Sequence, residues 1–227
     1  DTGRHLVDEI LDTAGQKGTG KWTSQAAMDL GVPIPTIDSA VTMRQISARK
    51  AARIKISGEY QGMRTSSDAG RSRTSVSELK DALFCAFILT YAQGMSLLQA
   101  ASVEKSFGLD LAEIARIWRG GCIIRSQLLE GIRKAYSAQP DLESLLLDKA
   151  FSSILNTRSG SLRKAVVAFN ESGTPAACFS SALAYFDAFR TERLPANLIQ
   201  AQRDFFGAHT YQRTDMEGIF HTPDWEK

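Results

Sequence analysis

Arg203 and His209 flank a glycine in the stretch Gln202-Arg-Asp-Phe-Phe-Gly207-Ala-His209-Thr-Tyr211. Leu198, Ile199 and Gln202 follow Pro195 at helical spacing, which predicts a last helix from Pro195 to Phe206, stopped at Gly207. The arginine then lies on a last helical turn and the histidine on the strand-like segment beyond it. Such a pair makes an anion clamp, because guanidinium offers a fixed fork of donors suited to phosphate or carboxylate. The same arginine is equally explained as an exposed cation favoured by the helix dipole. Two more cations have suitable settings: Lys17 in a glycine-rich loop where a ligand can approach the backbone, and Arg44 on a predicted helix. Each is otherwise a solvated surface charge.

Other chemistries are missing. Gly15-Gln-Lys17-Gly-Thr-Gly20-Lys21-Trp22 almost spells a nucleotide-phosphate loop, but Trp22 occupies the position of the magnesium-binding hydroxyl. No strand–GxGxxG–helix unit for a dinucleotide occurs in the sequence. No His, Cys, Asp or Glu cluster has metal-ligand spacing, so no metal is expected.

The elements that must carry these residues read as helices. A short amphipathic segment runs from His5 to Asp12, and Thr23 or Ser24 is expected to cap a helix through Leu30, stopped by Gly31 and Pro33. Residues 36–57 fit one further helix carrying Arg44, and residues 58–73 read as a polar, mobile loop. Ser75-Val-Ser-Glu78 spells a capping box. Behind it, Ala82–Val103 contains no charged residue, which raises a membrane span as an alternative. Thr90, Tyr91, Gln93, Ser96 and Gln99 within it, and mixed charge at both ends, favour a buried central helix. Helices over 110–117, 121–138, 141–156, 161–171 and 175–190 complete an all-α, bundle-like domain over 1–206. Residues 207–227 form an extended tail. Tyr211, Ile219, Phe220, His221 and Trp225 make that tail too hydrophobic to stay free, so it is expected to dock on a partner subunit.

A chain of 227 residues can bury a substantial core, and 43% hydrophobic with 23% charged residues is ordinary for a globular protein. A net charge of +2 is too small to imply nucleic acid or an anionic membrane as a general partner, and neither is expected. Cys85, Cys122 and Cys178 lie far apart in apolar settings and read as buried free thiols of a reducing, cytoplasmic compartment. With no opening methionine and no apolar leader core in residues 1–20, the chain is expected to be part of something longer.

Three stretches together resemble the 6-phosphogluconate dehydrogenase family. They are Ala14-Gly-Gln-Lys17-Gly-Thr-Gly-Lys21-Trp22-Thr, Trp118-Arg-Gly-Gly-Cys122-Ile-Ile-Arg125-Ser, and the Arg190–Arg213 stretch that contains Arg203 and His209. Their order and separation also agree, so the resemblance covers essentially the whole chain. It implies the C-terminal half of an NADP-dependent, decarboxylating enzyme of the pentose phosphate pathway, forming a homodimer through its helical domain and tail. It also implies that Lys17 and Arg44 bind 6-phosphogluconate, and that Arg203 and His209 reach the substrate of the second subunit. NADP would be held mainly by an N-terminal domain ahead of this region, as would the catalytic lysine and glutamate. No catalytic residue is therefore assigned, and this chain alone is expected to be inactive. Phe205 stands where many relatives have tyrosine. The rival expectation is a non-catalytic helical module that dimerises or binds a sugar phosphate without a cofactor domain.

Overall fold

In the computed structural model, which describes residues 3–60 and 74–225, every regular element is helical. The order is α1 (Leu6–Glu9), α2 (Thr19–Asp29), α3 (Pro35–Ser47), α4 (Lys50–Glu59), α5 (Val76–Glu104), α6 (Leu111–Trp118), α7 (Leu128–Ala138), α8 (Lys149–Ser172), α9 (Ala177–Phe189) and α10 (Ala196–Gly207). A 3-10 turn, Leu145–Leu147, precedes α8. The chain divides into two compact units, Asp1–Phe186 and Asp187–Lys227. The expected polar loop falls, over 61–73, outside the described residues.

The first unit is built around α5. Its first turn is closed by the expected capping box: the Glu78 amide donates to Ser75 Oγ at 3.2 Å, and Glu78 accepts from the Ser75 amide at 2.8 Å. That amide, then Lys164, holds the Glu78 carboxyl down at about 2. Ala82, Cys85, Ile88, Leu89, Ala92 and Met95 of α5 enter a single core with residues of α6 to α9. The small alanines let α8 approach closely, and α8 is the helix α5 meets most extensively. Two ion pairs flank that seam, Lys164 to Glu78 and Arg158 to Asp81, both at 2.9 Å. Among the described residues α5 is the one helix long and apolar enough to cross a membrane. Here it is a core helix, and Gly94 does not interrupt it.

Several boundaries differ from the sequence expectation. The segment 36–57 is two helices, because Arg49 leaves helical geometry at ψ 43. Helix α2 begins four residues before Thr23, whose hydroxyl donates back to the Thr19 carbonyl at 2.9 Å and caps nothing. The expected helix over 121–138 begins only at Leu128, behind the Gly120-Gly121 turn. Conversely, the two helices expected around Gly160 are one: α8 is capped by Asp148, which accepts from the Ala150 and Phe151 amides, and it ends at left-handed Gly173. Cys85 is buried, and burial pushes its thiol up to about 11, but Cys122 is exposed in its turn and Cys178 is half-buried.

A buried polar clamp fixes α3 on α5. Gln93, fully buried, accepts from the Thr36 amide at 3.0 Å and donates to the Thr36 hydroxyl at 2.8 Å. It thereby satisfies one of the orphan amides in the first turn of α3. Gln93→Leu would strand that amide and hydroxyl in the interior, an expected loss of about 3 kcal/mol. Urea denaturation of the variant against the parent chain checks this; a loss below about 0.5 kcal/mol would mean that the clamp contributes little.

Candidate functional site

Helices α2 and α3 pair closely because Gly20 has no Cβ: one built there would lie 2.9 Å from Val41 Cγ2. Ser24 Oγ donates to Asp38 Oδ1 at 2.6 Å across the same seam, and Ala27, Ile34 and Leu97 form a small core beneath it. Arg44 lies in the last turn of α3, exposed, where the helix C-terminus favours a cation. The loop that carries Lys17 is tied to this same end. The Ala14 amide donates to Ser47 Oγ at 2.9 Å, and that hydroxyl donates to the Arg44 carbonyl at 2.7 Å. Asp12 accepts from Lys50 Nζ at 2.5 Å and from Arg53 Nη1 at 2.7 Å; Arg53, then Lys50, holds its carboxyl far below the ordinary range. The result is a pinned loop start beside the end of α3, with Lys17 exposed beyond it. Neither Lys17 nor Arg44 makes an ion pair among the described residues.

In the second unit, α10 carries Arg203 and ends at His209's doorstep. Arg203 is exposed, and its Nη1 donates to Gln200 Oε1 at 3.1 Å. Gln200 Nε2 in turn donates to the Thr210 carbonyl at 2.6 Å. Gly207 is still helical, and the left-handed residues are Ala208 (φ 53) and Thr210 (φ 61), so His209 sits between two reversals of the chain. A side chain at 207 would be tight: a Cβ there would lie 3.1 Å from Cδ2 and Nε2 of the His209 ring, which folds back over it. Arg203 and His209 thus share one end of one helix, as the sequence predicted.

What the sequence did not reveal is Asp204. Its side chain is fully buried, and its two oxygens accept from four donors. Oδ1 takes the Thr210 amide at 2.8 Å and faces His221 Nδ1 at 2.9 Å; Oδ2 takes the Thr222 amide at 3.0 Å and Trp225 Nε1 at 3.2 Å. Burial alone would raise the carboxyl, but these bonds outweigh it and hold it at about 2. The tail therefore folds as a strap fastened to α10. Tyr211 and Phe220 exchange both backbone bonds at 2.8 Å, and Tyr211 Oη shares a 2.6 Å bond with Thr222 Oγ1. Part of the tail's apolar surface is consumed this way, whereas Phe206 and Ile219 stay exposed.

The family profile described as "6-phosphogluconate dehydrogenase, C-terminal domain" matches residues 1–225. The chain belongs to that family. It is 52% identical over 227 residues to the NADP(+)-dependent, decarboxylating 6-phosphogluconate dehydrogenase of Bacillus subtilis, covering all of this chain and 48% of that protein. It is 49% identical over 220 residues to the decarboxylating enzyme of Synechococcus elongatus, covering 97% of this chain and 47% of the other. Among solved structures, the Plasmodium falciparum 6-phosphogluconate dehydrogenase, determined in apo form, with its cofactor NADP+ and with its substrate 6-phosphogluconate, matches with a TM-score of 0.90 and 44% identity. That match covers 98% of this chain and 48% of the other. The chain thus spans about half the length of the relatives it matches.

Within this member of the 6-phosphogluconate dehydrogenase C-terminal family, the Trp118–Ser126 motif walls a cavity of about 1000 Å³ together with α2, α3 and α5. Trp22, Phe87, Leu98, Trp118 and Ile123 make it apolar, and Arg125 is the one charged side chain on its lining. Tyr91 Oη donates to the Ile124 carbonyl and pins the motif in place. Phe87, Trp22 and Ile123 are nevertheless more than half or about half exposed, at 50%, 63% and 100%. The described residues contain no sheet and no glycine-rich strand-to-helix turn of the dinucleotide-binding kind, and no residue here is assigned to NADP. Nor do they contain a metal-ligating cluster.

Proposed function

We propose that this chain is the substrate-binding and dimer-forming half of an NADP-dependent 6-phosphogluconate dehydrogenase (decarboxylating). The observation that carries the reading is 52% identity across the whole chain to an enzyme of that name. The reaction oxidises 6-phosphogluconate at C3, with NADP taking the hydride, and the resulting 3-keto acid loses its carboxylate as CO2 to give ribulose 5-phosphate. In this reading NADP and the proton-transfer residues belong to the half of the relatives that the chain does not span.

The chain's own contribution is to bind and orient an anionic sugar. Arg44 and Arg203 hold the phosphate through paired charge-assisted bonds, and Lys17 and His209 contact phosphate or hydroxyl oxygens. The exposed arms of Lys17 and Arg44 on a pinned scaffold support this assignment, as does the placement of His209 between the left-handed Ala208 and Thr210. In a homodimer, Arg203 and His209 serve the pocket of the other subunit. The half-exposed apolar cavity gives residues 1–206 a surface that needs covering, and residues 207–227 act as the docking tail. The compartment is the cytoplasm.

The test is an assay of the full-length protein that contains this chain, following NADPH absorbance and CO2 release with 6-phosphogluconate. Turnover dependent on both substrates is expected, with none from residues 1–227 alone. A folded full-length protein without turnover would overturn the reading in favour of a sugar-phosphate-binding module.

A further inference from the structure

Asp204 is the one fully buried charged side chain among the described residues, and the proposed function makes no use of it. Taking a carboxylate out of water costs several kcal/mol, and an apolar side chain of similar volume often stabilises a fold as well or better. A buried charge therefore calls for an explanation beyond stability. Here the explanation lies in where its four donors come from. One is the amide of Thr210, directly after His209, and the other three lie at 221, 222 and 225, on the returning end of the strap. The Asp204 carbonyl also accepts from the Ala208 amide at 2.8 Å. Asp204 thus grips the chain on both sides of His209.

The backbone there needs gripping. Thr210 is β-branched and sits at φ 61, a conformation that costs on the order of 1–2 kcal/mol for a non-glycine residue. Such a residue persists only where its surroundings over-determine it. Thr210 is held at both ends, its amide by Asp204 and its carbonyl by Gln200, the same side chain that accepts from Arg203. The strained turn, the histidine and the arginine are therefore one connected assembly.

We propose that Asp204 is a positioning residue for the phosphosugar site, fixing the 208–210 reversal so that His209 is presented beside Arg203. The inference rests on the reading of His209 as a substrate contact and adds the group that holds it in place. Asparagine cannot substitute. A carboxylate offers four acceptor positions and all four are taken, whereas an amide turns one oxygen into a donor. In either orientation its NH2 meets at least one fixed backbone N–H, of Thr210 or of Thr222; only His221 can change role, by switching tautomer.

The experiment compares Asp204→Asn, His209→Ala and the double variant in the full-length enzyme, measuring KM for 6-phosphogluconate and kcat. Asp204→Asn is expected to raise KM about tenfold with kcat changed much less, and to add nothing once His209 is already alanine. Trp225→Phe provides a milder version that removes one donor and keeps a ring beside Tyr211. It is expected to raise KM by about twofold to fivefold, again only when His209 is present, and it decides the matter if Asp204→Asn does not fold. The proposal is overturned if His209→Ala raises KM while the folded Asp204 and Trp225 variants do not, or if their effects add fully to that of His209→Ala. If His209→Ala itself leaves KM unchanged, the substrate-contact reading falls and the positioning role falls with it.

Discussion

Replacing Arg203 by alanine in the full-length enzyme is expected to raise KM for 6-phosphogluconate by at least about a hundredfold, since each hydrogen bond to a charged group is worth roughly 1.5–3 kcal/mol and a fork supplies two. The fold should survive. Arg203 is exposed, makes its hydrogen bond at 3.1 Å with Gln200 on the same helix, and touches none of the four donors around Asp204. Far-ultraviolet circular dichroism should therefore be unchanged while KM moves. Arg203→Lys should fall between the two, because an ammonium keeps the charge and loses the fork. A KM equal to that of the parent in Arg203→Ala would remove this residue from the pocket.

Mixing two binding-impaired variants, assayed at substrate far below their raised KM, should restore activity if each pocket is completed by the partner's tail. A Lys17→Ala subunit and an Arg203→Ala subunit, dissociated and reassembled together, form mixed dimers with one pocket carrying both lesions and one carrying neither. Random reassortment makes about half of the dimers mixed, so about a quarter of the pockets' activity should return in an isologous dimer. Neither variant reassembled with itself should recover. If each pocket used its own chain's arginine, every pocket in the mixture would carry one lesion, and no recovery would be seen. Steady-state rates before and after reassembly read the difference directly.

The parts of the fold that could be read from sequence are those set by neighbours in the chain. The capping box at Ser75 and Glu78 is four residues long and formed as written. The uncharged run behind it lacked anchoring flanks, and it became the core helix whose end charges pair with α8. Glycine was the less dependable signal. Gly160 was expected to end a helix, yet a glycine ends one only where the chain adopts a left-handed turn, as Gly173 does. At the end of α10 that task falls to Ala208, and Gly207 is small to admit a ring.

Site legibility followed the same division. Arg203 and His209 could be placed on one helix end because their separation is local. Lys17 and Arg44 could be picked out as cations but joined into one site only through the resemblance, since the bonds that tie the Lys17 loop to α3 run from Asp12 and Ala14 to residues 47, 50 and 53. Asp204 was invisible for a stronger reason. Beside Arg203 in the chain it looks like half of an ordinary surface pair, and only the return of residues 221–225 buries it. Gln93 was noticed as a polar residue in an apolar run, but its partner Thr36 lies too far away in sequence to be inferred.

A strap whose ends converge on one carboxylate has few half-attached states. The amides of Thr210 and Thr222 end on one carboxylate, and the Tyr211–Phe220 pair between them closes the loop they define. Losing any one of these ties shifts load onto the same few atoms, so the segment is built to open as a unit rather than to fray from its end. Under the proposed reading of His209 as a substrate contact, the histidine is then either fully in register or withdrawn altogether, and residues 208–225 behave as a latch.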